Sequence, residues 1–363
     1  MHITRLELRQ FRNYEEAELR PCEGVTVLYG NNAQGKTALL EAIVLACTGR
    51  SHRTSRDKEL IRWGQEAGRV FVQAEKRDGS HEVEMLLSSL RRKTVKVNGS
   101  ALQRTGELMG HVNGVLFAPE DLRMVKDGPA ERRRFIDMEL SQIKPSYYYA
   151  LQHYAHALMQ RNKLLRDVAL KPSLSDMLED WDAQLARYGA AIMRERQAFI
   201  ALISDSAHEN HLEISGGQED LKARYVPSLD AQDEPAQALM KALRVAREMD
   251  VRRGTTSVGP HRDDLMLTLS GMDVRVYGSQ GQQRTTALSL KLAELDIMRR
   301  EIGEWPVLML DDVMSELDPR RRRQLLGRLK GIQTIVTCTD MSDRADAEIG
   351  AAWRIQNGTI VGE

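Results

Sequence analysis

The stretch Gly30-Asn31-Asn32-Ala33-Gln34-Gly35-Lys36-Thr37 constrains this chain more than any other. It follows a short apolar run, Val25-Thr26-Val27-Leu28-Tyr29, and opens an apolar segment, Ala38 to Cys47, that reads as a helix. A strand, a glycine-spaced loop and a helix in that order let backbone amides wrap a chain of phosphates at a helix N-terminus. Within such a loop the Lys36 ammonium would neutralise the β and γ phosphates, and the Thr37 hydroxyl would complete the shell of a magnesium ion. The pattern points to a nucleotide and Mg²⁺ but says nothing about what the nucleotide is used for.

A second segment supplies carboxylates. Val307-Leu308-Met309-Leu310-Asp311-Asp312 is an apolar run ending in two acids, as expected of a buried parallel strand whose C-terminal edge reaches a ligand. Asp311 is placed to hold the magnesium through water, and Asp312 to orient or activate an attacking water. Downstream, Ser315-Glu316-Leu317-Asp318 precedes a basic helix; upstream, Gly278-Ser279-Gln280-Gly281-Gln282-Gln283-Arg284 opens a helix from Thr285 to about Ile302. Ser279 and Gly281, with the free amides of that helix start, make an anion site lacking a phosphate loop of its own.

Periodicity organises the rest. Leu6 and Leu8 alternate with Arg5, Glu7 and Arg9, the pattern of a half-buried strand. From Arg69 to about Leu102, strand-like segments punctuated by Asp78-Gly79 and Asn98-Gly99 read as a small antiparallel sheet. Between about Glu131 and Ile203 the spacing turns helical, with Leu158, Leu165, Leu185 and Ile192 on the apolar positions. A strand near Ala223 to Val226 and a helix from about Pro235 to Met249 bring the chain back. The order implies an α/β head built from both chain ends, residues 1–122 and 250–363, with an inserted, mainly helical arm at 123–249.

The four site segments are similar to the Walker A, signature, Walker B and D-loop elements of ABC-type ATPases, in that chain order. Further stretches resemble one branch of the SMC-like members, the RecF family: Phe11-Arg12-Asn13-Tyr14, the loop Gly49 to Asp57, Phe117 to Leu122 running into Glu131 to Asp137, Gln160-Arg161-Asn162, and Gly259 to Asp264. The resemblance implies an ABC-type ATPase head of mixed sheets around a phosphate-loop core. It implies that ATP is held by Gly30, Asn31, Asn32, Ala33, Gln34, Gly35, Lys36 and Thr37, with Arg12 nearby, and that Thr37 and Asp311 hold Mg²⁺. Lys36, Asp311 and Asp312 become the catalytic set, and Ser279, Gly281 and Gln282 would complete the site of a second subunit, so that ATP closes a homodimer. The family further implies binding of single-stranded, double-stranded and gapped DNA. Its implied partners are RecR and RecO-like mediators, with which it helps load the RecA recombinase at gaps.

Three departures from transport ATPases stand out. The strand Ile335-Val336-Thr337-Cys338-Thr339-Asp340 offers no histidine, the catalytic glutamate is replaced by the shorter Asp312, and Glu120 or Asp121 takes the place of the sensor glutamine. Together they suggest a weak, DNA-stimulated ATPase used as a switch. The same features disfavour the alternative of a transporter subunit. An SMC-like mechanical ATPase would need hundreds of heptad residues where only about 120 are present.

Lysine plus arginine and aspartate plus glutamate both number 52, so attraction to a polyanion must come from local clusters. Candidates are Arg50, His52, Arg53 and Arg56; Arg91, Arg92, Lys93 and Lys96; Arg132 to Arg134; and Arg320 to Arg323. Tyr147 to Tyr149 could stack bases, although core packing is the commoner use of such residues. Cys22, Cys47 and Cys338 form no pair motif, and no apolar stretch approaches membrane-spanning length, so the expected location is cytoplasmic with no membrane partner.

Overall fold

The computed structural model describes residues 1–229, 234–316, 319–339 and 349–361. They divide into two compact units, Met1–Asp121 with Leu288–Glu363, and Leu122–Ala287. The first unit opens with β1 (His2–Phe11), β2 (Tyr14–Leu19) and β3 (Val25–Tyr29), then α1 (Lys36–Thr48). Next come β4 (Ala67–Lys76), β5 (Gly79–Ser88), β6 (Thr94–Val97), β7 (Ser100–Ala101) and β8 (Gly114–Phe117).

Six of these strands form an antiparallel sheet in the order β2-β1-β4-β5-β6-β7, so the small sheet expected from Arg69 onward is extended by the N-terminal hairpin. Its β6–β7 turn is Asn98-Gly99, both at positive φ (49° and 78°), as their sequence signature requires. At the other hairpin Lys76 pairs with Gly79, so the turn residues are Arg77 and Asp78, and Gly79 takes the positive φ of 124° just after them.

The second unit contains α2 (Arg123–Lys126), α3 (Pro129–Ile143), α4 (Pro145–Leu170) and α5 (Leu178–Ser215), followed by β9 (Leu221–Val226), α6 (Pro235–Arg253), β10 (Asp264–Leu269), β11 (Met272–Asp273) and α7 (Val274–Tyr277). Leu165, Leu185 and Ile192 are wholly buried on the helical faces that their spacing picked out. The unit also takes in residues 250–287, which the sequence reading grouped with the chain ends. The physical reason is pairing: β10 runs antiparallel to β9 from Asp264–Val226 to Leu269–Leu221, which ties that segment to the helices.

Its interior is polar to an unusual degree. Arg161, Asp182 and Asp250 are all fully buried, and Arg196 bonds Asp137, Tyr147 and the Pro260 carbonyl. His261 donates from Nε2 to the Thr256 carbonyl at 3.0 Å and accepts from the Tyr154 hydroxyl at 2.7 Å, which fixes the neutral tautomer. Burial, with Arg262 and Arg133 nearby, pushes its pKa down to about 4. An unfolded chain takes up that proton below about pH 6.5 while the fold refuses it, so stability falls as pH drops from about 6.5 towards 4. The expected slope is at most about 1.4 kcal/mol per pH unit. Denaturant midpoints from pH 7 to 5 should show it, and His261→Gln should flatten that dependence.

The chain returns to the first unit through α8 (Gln280–Ile302), then β12 (Val307–Asp311), α9 (Val313–Glu316), α10 (Pro319–Arg328), β13 (Thr334–Cys338), β14 (Ile349–Gln356) and β15 (Thr359–Val361). A second six-stranded sheet runs β15-β14-β3-β13-β12-β8, parallel except for the terminal hairpin. Helix α1, buried along nearly its whole length, contacts strands of both sheets and lies in one continuous core with them. Among the described residues no helix is long and apolar enough to cross a membrane.

Candidate nucleotide site

Register in the parallel sheet decides what meets what. Asp311 on β12 lies beside Thr337 on β13, which lies beside Leu28 on β3, two residues before Gly30. The loop from Gly30 to Gly35 and the carboxylates of Asp311 and Asp312 therefore leave the same edge of the sheet, the C-terminal one.

Both motif glycines are demanded by close approach. A Cβ on Gly30 would stand 2.3 Å from the Ile355 carbonyl oxygen, and one on Gly35 would stand 2.7 Å from the Asn13 side chain and 2.9 Å from the Tyr14 ring; both sit at positive φ. Those neighbours also grip the loop. The Asn13 amide donates to the Gln34 carbonyl at 2.9 Å and the Tyr14 hydroxyl to that of Gly35 at 3.1 Å. The backbone N–H groups of Asn357 and Gly358 bond the side chain and carbonyl of Gln34. Asn31, Asn32 and Ala33 remain exposed.

Lys36 is buried, and its ammonium donates to the Gly30 and Asn31 carbonyls. Burial lowers its pKa, and the charges of Asp312, Cys338 and Asp311 oppose that shift. The Thr37 hydroxyl donates to Asp311 Oδ1 at 3.1 Å and the Thr337 hydroxyl to the same oxygen at 2.7 Å. Burial raises the Asp311 pKa in spite of these two bonds, and the charges of Glu120 and Asp312 add to the rise. Asp312 occupies the left-handed region at φ 52°; its amide donates to Thr337 Oγ1, and its carboxylate accepts from Ser315. Arg12, Asn13, Lys36, Thr37, Asp311, Asp312 and Thr337 all line one cleft of 820 Å³.

Two residues of this site went unnoticed in the sequence. Thr337 was read only as a position lacking histidine, yet it joins Asp311 to the amide of Asp312; a threonine inside an apolar strand was the available signal. Glu41, on an otherwise apolar α1, is fully buried and receives Arg12 in a two-pronged bond at 2.6 and 2.8 Å, together with the Ser51 hydroxyl. Burial raises its pKa, but the Arg12 and Ser51 bonds outweigh it, so the net shift is downward. Arg12 thus lines the cleft with its guanidinium anchored from behind.

The other expected residues lie elsewhere. Ser279, Gly281 and Gln282 belong to the second unit. Ser279 and Gln282 form a reciprocal cap at the start of α8, Ser279 N to Gln282 Oε1 at 2.8 Å and Gln282 N to Ser279 Oγ at 3.3 Å, and Gln282 also donates to Glu219. The Gln282 side chain is therefore occupied in holding that turn. Asp121 folds back onto the Ala118 amide, and burial lifts its pKa to about 6; exposed Glu120 is the acid that bears on Asp311. Leu317, Asp318 and Asp340 lie outside the described residues.

Several basic clusters are internally engaged. Arg132 pairs with Asp264 at 2.7 Å, Arg133 holds the Asp263 carbonyl, Lys93 holds the Gly49 carbonyl and Asp57, and Lys96 pairs with Glu84. Arg53 lies 3.6 Å from Glu41 and Arg56 3.6 Å from Glu59 although both are exposed; Arg50, Arg91 and Arg92 are exposed as well. Tyr147 is 1% exposed and donates to Asp137, so it belongs to the core. The side chain of Arg320 falls outside the described residues.

A family profile described as the RecF/RecN/SMC N terminal domain matches residues 2–358. The DNA replication and repair protein RecF of Acetivibrio thermocellus is 43% identical over 345 residues, covering 94% of each chain. The chain belongs to the RecF family. The RecF of Clostridium perfringens is 41% identical over 99% of both chains. A solved RecF–ATP structure, described as a recombination mediator of the RecFOR pathway, superposes with a TM-score of 0.94 at 38% identity, covering all of this chain and 97% of its own. The Smc head of Pyrococcus furiosus, at 18% identity and a TM-score of 0.58, shares the fold alone over all of this chain and 96% of its own. The RecF-type fold, an ATPase head of mixed sheets with a helical insertion, is therefore the fold of this chain.

Proposed function

We propose that this RecF-family chain serves DNA replication and repair as an ATP-gated switch that closes as a dimer on DNA. The observation that carries the reading is the meeting of Lys36, Thr37, Asp311 and Asp312 in one cleft, with the Thr37 hydroxyl 3.1 Å from the Asp311 carboxylate. ATP binding is further supported by likeness to a RecF–ATP structure.

The residues fit a magnesium ion. Thr37 Oγ1 and Asp311 Oδ1 are hard oxygen donors side by side, and a cation would relieve the cost of a buried, charged Asp311. When bound, Mg²⁺ would neutralise phosphate charge. Lys36 and the loop amides would hold the triphosphate, Thr37 and Asp311 would hold the ion, and Asp312, steadied by Ser315, would orient water. Thr337 would set the position of Asp311. With the short Asp312 as base, hydrolysis is slow and ATP works chiefly as a dimerisation signal.

Ser279, Gly281 and the α8 N-terminus would close over the γ-phosphate of a second subunit, the Gln282 side chain serving the turn rather than the ligand. The ATPase head is assigned to the chain ends and the arm to the helical insertion. Exposed Arg50, Arg91 and Arg92 are the best candidates for sequence-neutral phosphate contacts, so binding to single-stranded, duplex or gapped DNA weakens with salt. Family membership supports a cytoplasmic protein working with RecR and RecO-like mediators.

The test combines light scattering with DNA binding. Wild-type protein with a non-hydrolysed ATP analogue should double in mass and bind gapped duplex. Ser279→Arg should keep ATP affinity but remain single, and Asp312→Asn should bind ATP normally and accumulate as the dimer. A Ser279→Arg variant that still pairs would remove the shared-site reading.

A further inference from the structure

We infer that Trp63 is the base-stacking residue of the cleft, the side chain on which the purine ring of the nucleotide lies. The inference rests on reading this cleft as an ATP site, and it adds a specificity element that the phosphate-binding motif does not contain. Trp63 is 98% exposed, an extreme for the side chain with the largest apolar surface. It lines the same cleft as Lys36, Thr37 and Asp311.

Its placement is fixed by backbone bonds. The Arg12 amide donates to the Leu60 carbonyl at 2.8 Å, the Arg62 amide to that of Gln10 at 2.9 Å, and Phe11 bridges to Ile61. The segment carrying Trp63 is thereby laced to the end of β1, next to Asn13 and Tyr14, which grip the Gln34 and Gly35 carbonyls of the phosphate loop. Immediately beyond, Gln65 N bonds the Arg62 carbonyl at 3.0 Å across a turn in which Gly64 takes φ 83°. Trp63 therefore stands at a turn tip on the same scaffold as the loop.

Chemistry completes the case. Most of the residues lining the cleft are polar or charged, and Trp63 is the large, exposed apolar side chain among them. Lys36 and its neighbours anchor phosphates but cannot grip a neutral heterocycle. A flat π-face can, and base–aromatic stacking is worth roughly 1–3 kcal/mol per base, or about fivefold to 150-fold in affinity. Stacking is tolerant of base identity, so Trp63 would favour purines by ring area rather than by hydrogen-bond pattern.

The test measures binding of Mg·ATP and of Mg·tripolyphosphate, which has the phosphates without the base, to the full chain. Trp63→Ala should weaken ATP by about fivefold or more while tripolyphosphate affinity holds, and Trp63→Phe should recover most of the loss. A Trp63→Ala variant that keeps full ATP affinity, or loses ATP and tripolyphosphate equally, overturns the inference, as does lost pairing or DNA binding at unchanged ATP affinity. Failure of the underlying ATP reading looks different: wild-type protein would then bind ATP weakly and without dependence on Lys36.

Discussion

Lys36→Ala is expected to lower ATP affinity by about a hundredfold or more while leaving the fold intact. Lys36 is 7% exposed, and its ammonium is already turned onto the loop, donating to the Gly30 and Asn31 carbonyls. Two charge-assisted contacts to phosphate oxygens are worth about 3 kcal/mol or more together, which is the source of the hundredfold. The true loss exceeds that sum, because Asp311 and Asp312 then face the incoming polyanion without the cation whose charge they feel. Stability should change little, since the freed loop carbonyls can turn to water and α1 is held by both sheets. Titration calorimetry with Mg·ATP and a thermal melt check both halves. An affinity within about threefold of wild type would mean that the cleft does not hold phosphates through this lysine.

How much of this was legible beforehand depends on what each residue answers to. The phosphate loop, the acidic strand end and the Asn98-Gly99 turn were readable because backbone geometry demands those residues locally; Gly30 and Gly35 answer to atoms that no other residue could approach. Thr337 and Glu41 were missed because their roles exist only across the sheet or across the cleft: Asp311 lies 26 positions from Thr337, and Glu41 lies 29 from Arg12. Charge runs misled for a related reason. Arg132 and Arg133 look like a solvated patch in one dimension, yet their partners, Asp264 and the Asp263 carbonyl, come from more than a hundred residues downstream. The unit boundary shifted likewise, because the β9–β10 ladder is a long-range pairing that no local periodicity encodes.

The same long-range logic yields the largest expected loss of stability, at Arg161. This guanidinium is fully buried on α4, bonded to Asp182 of α5 at 2.6 Å, to Asp250 of α6 at 2.7 Å, and to the Thr256 hydroxyl at 2.9 Å. Both carboxylates are themselves fully buried, and Arg161, with Arg247 sharing Asp182, compensates them and ties three helices together. Removing it leaves Asp182 with Arg247 alone and Asp250 with the Ser257 amide. Breaking such a pair costs about 3–5 kcal/mol, dominated by the stranded charge rather than by lost contacts. Arg161→Met, which keeps most of the volume, should therefore destabilise nearly as much as Arg161→Ala. Hydrogen exchange of the α4 and α5 amides is the appropriate measurement, because it reports opening of this unit separately from the rest. Protection in Arg161→Met within about 1 kcal/mol of wild type would show that packing, not charge, holds the three helices.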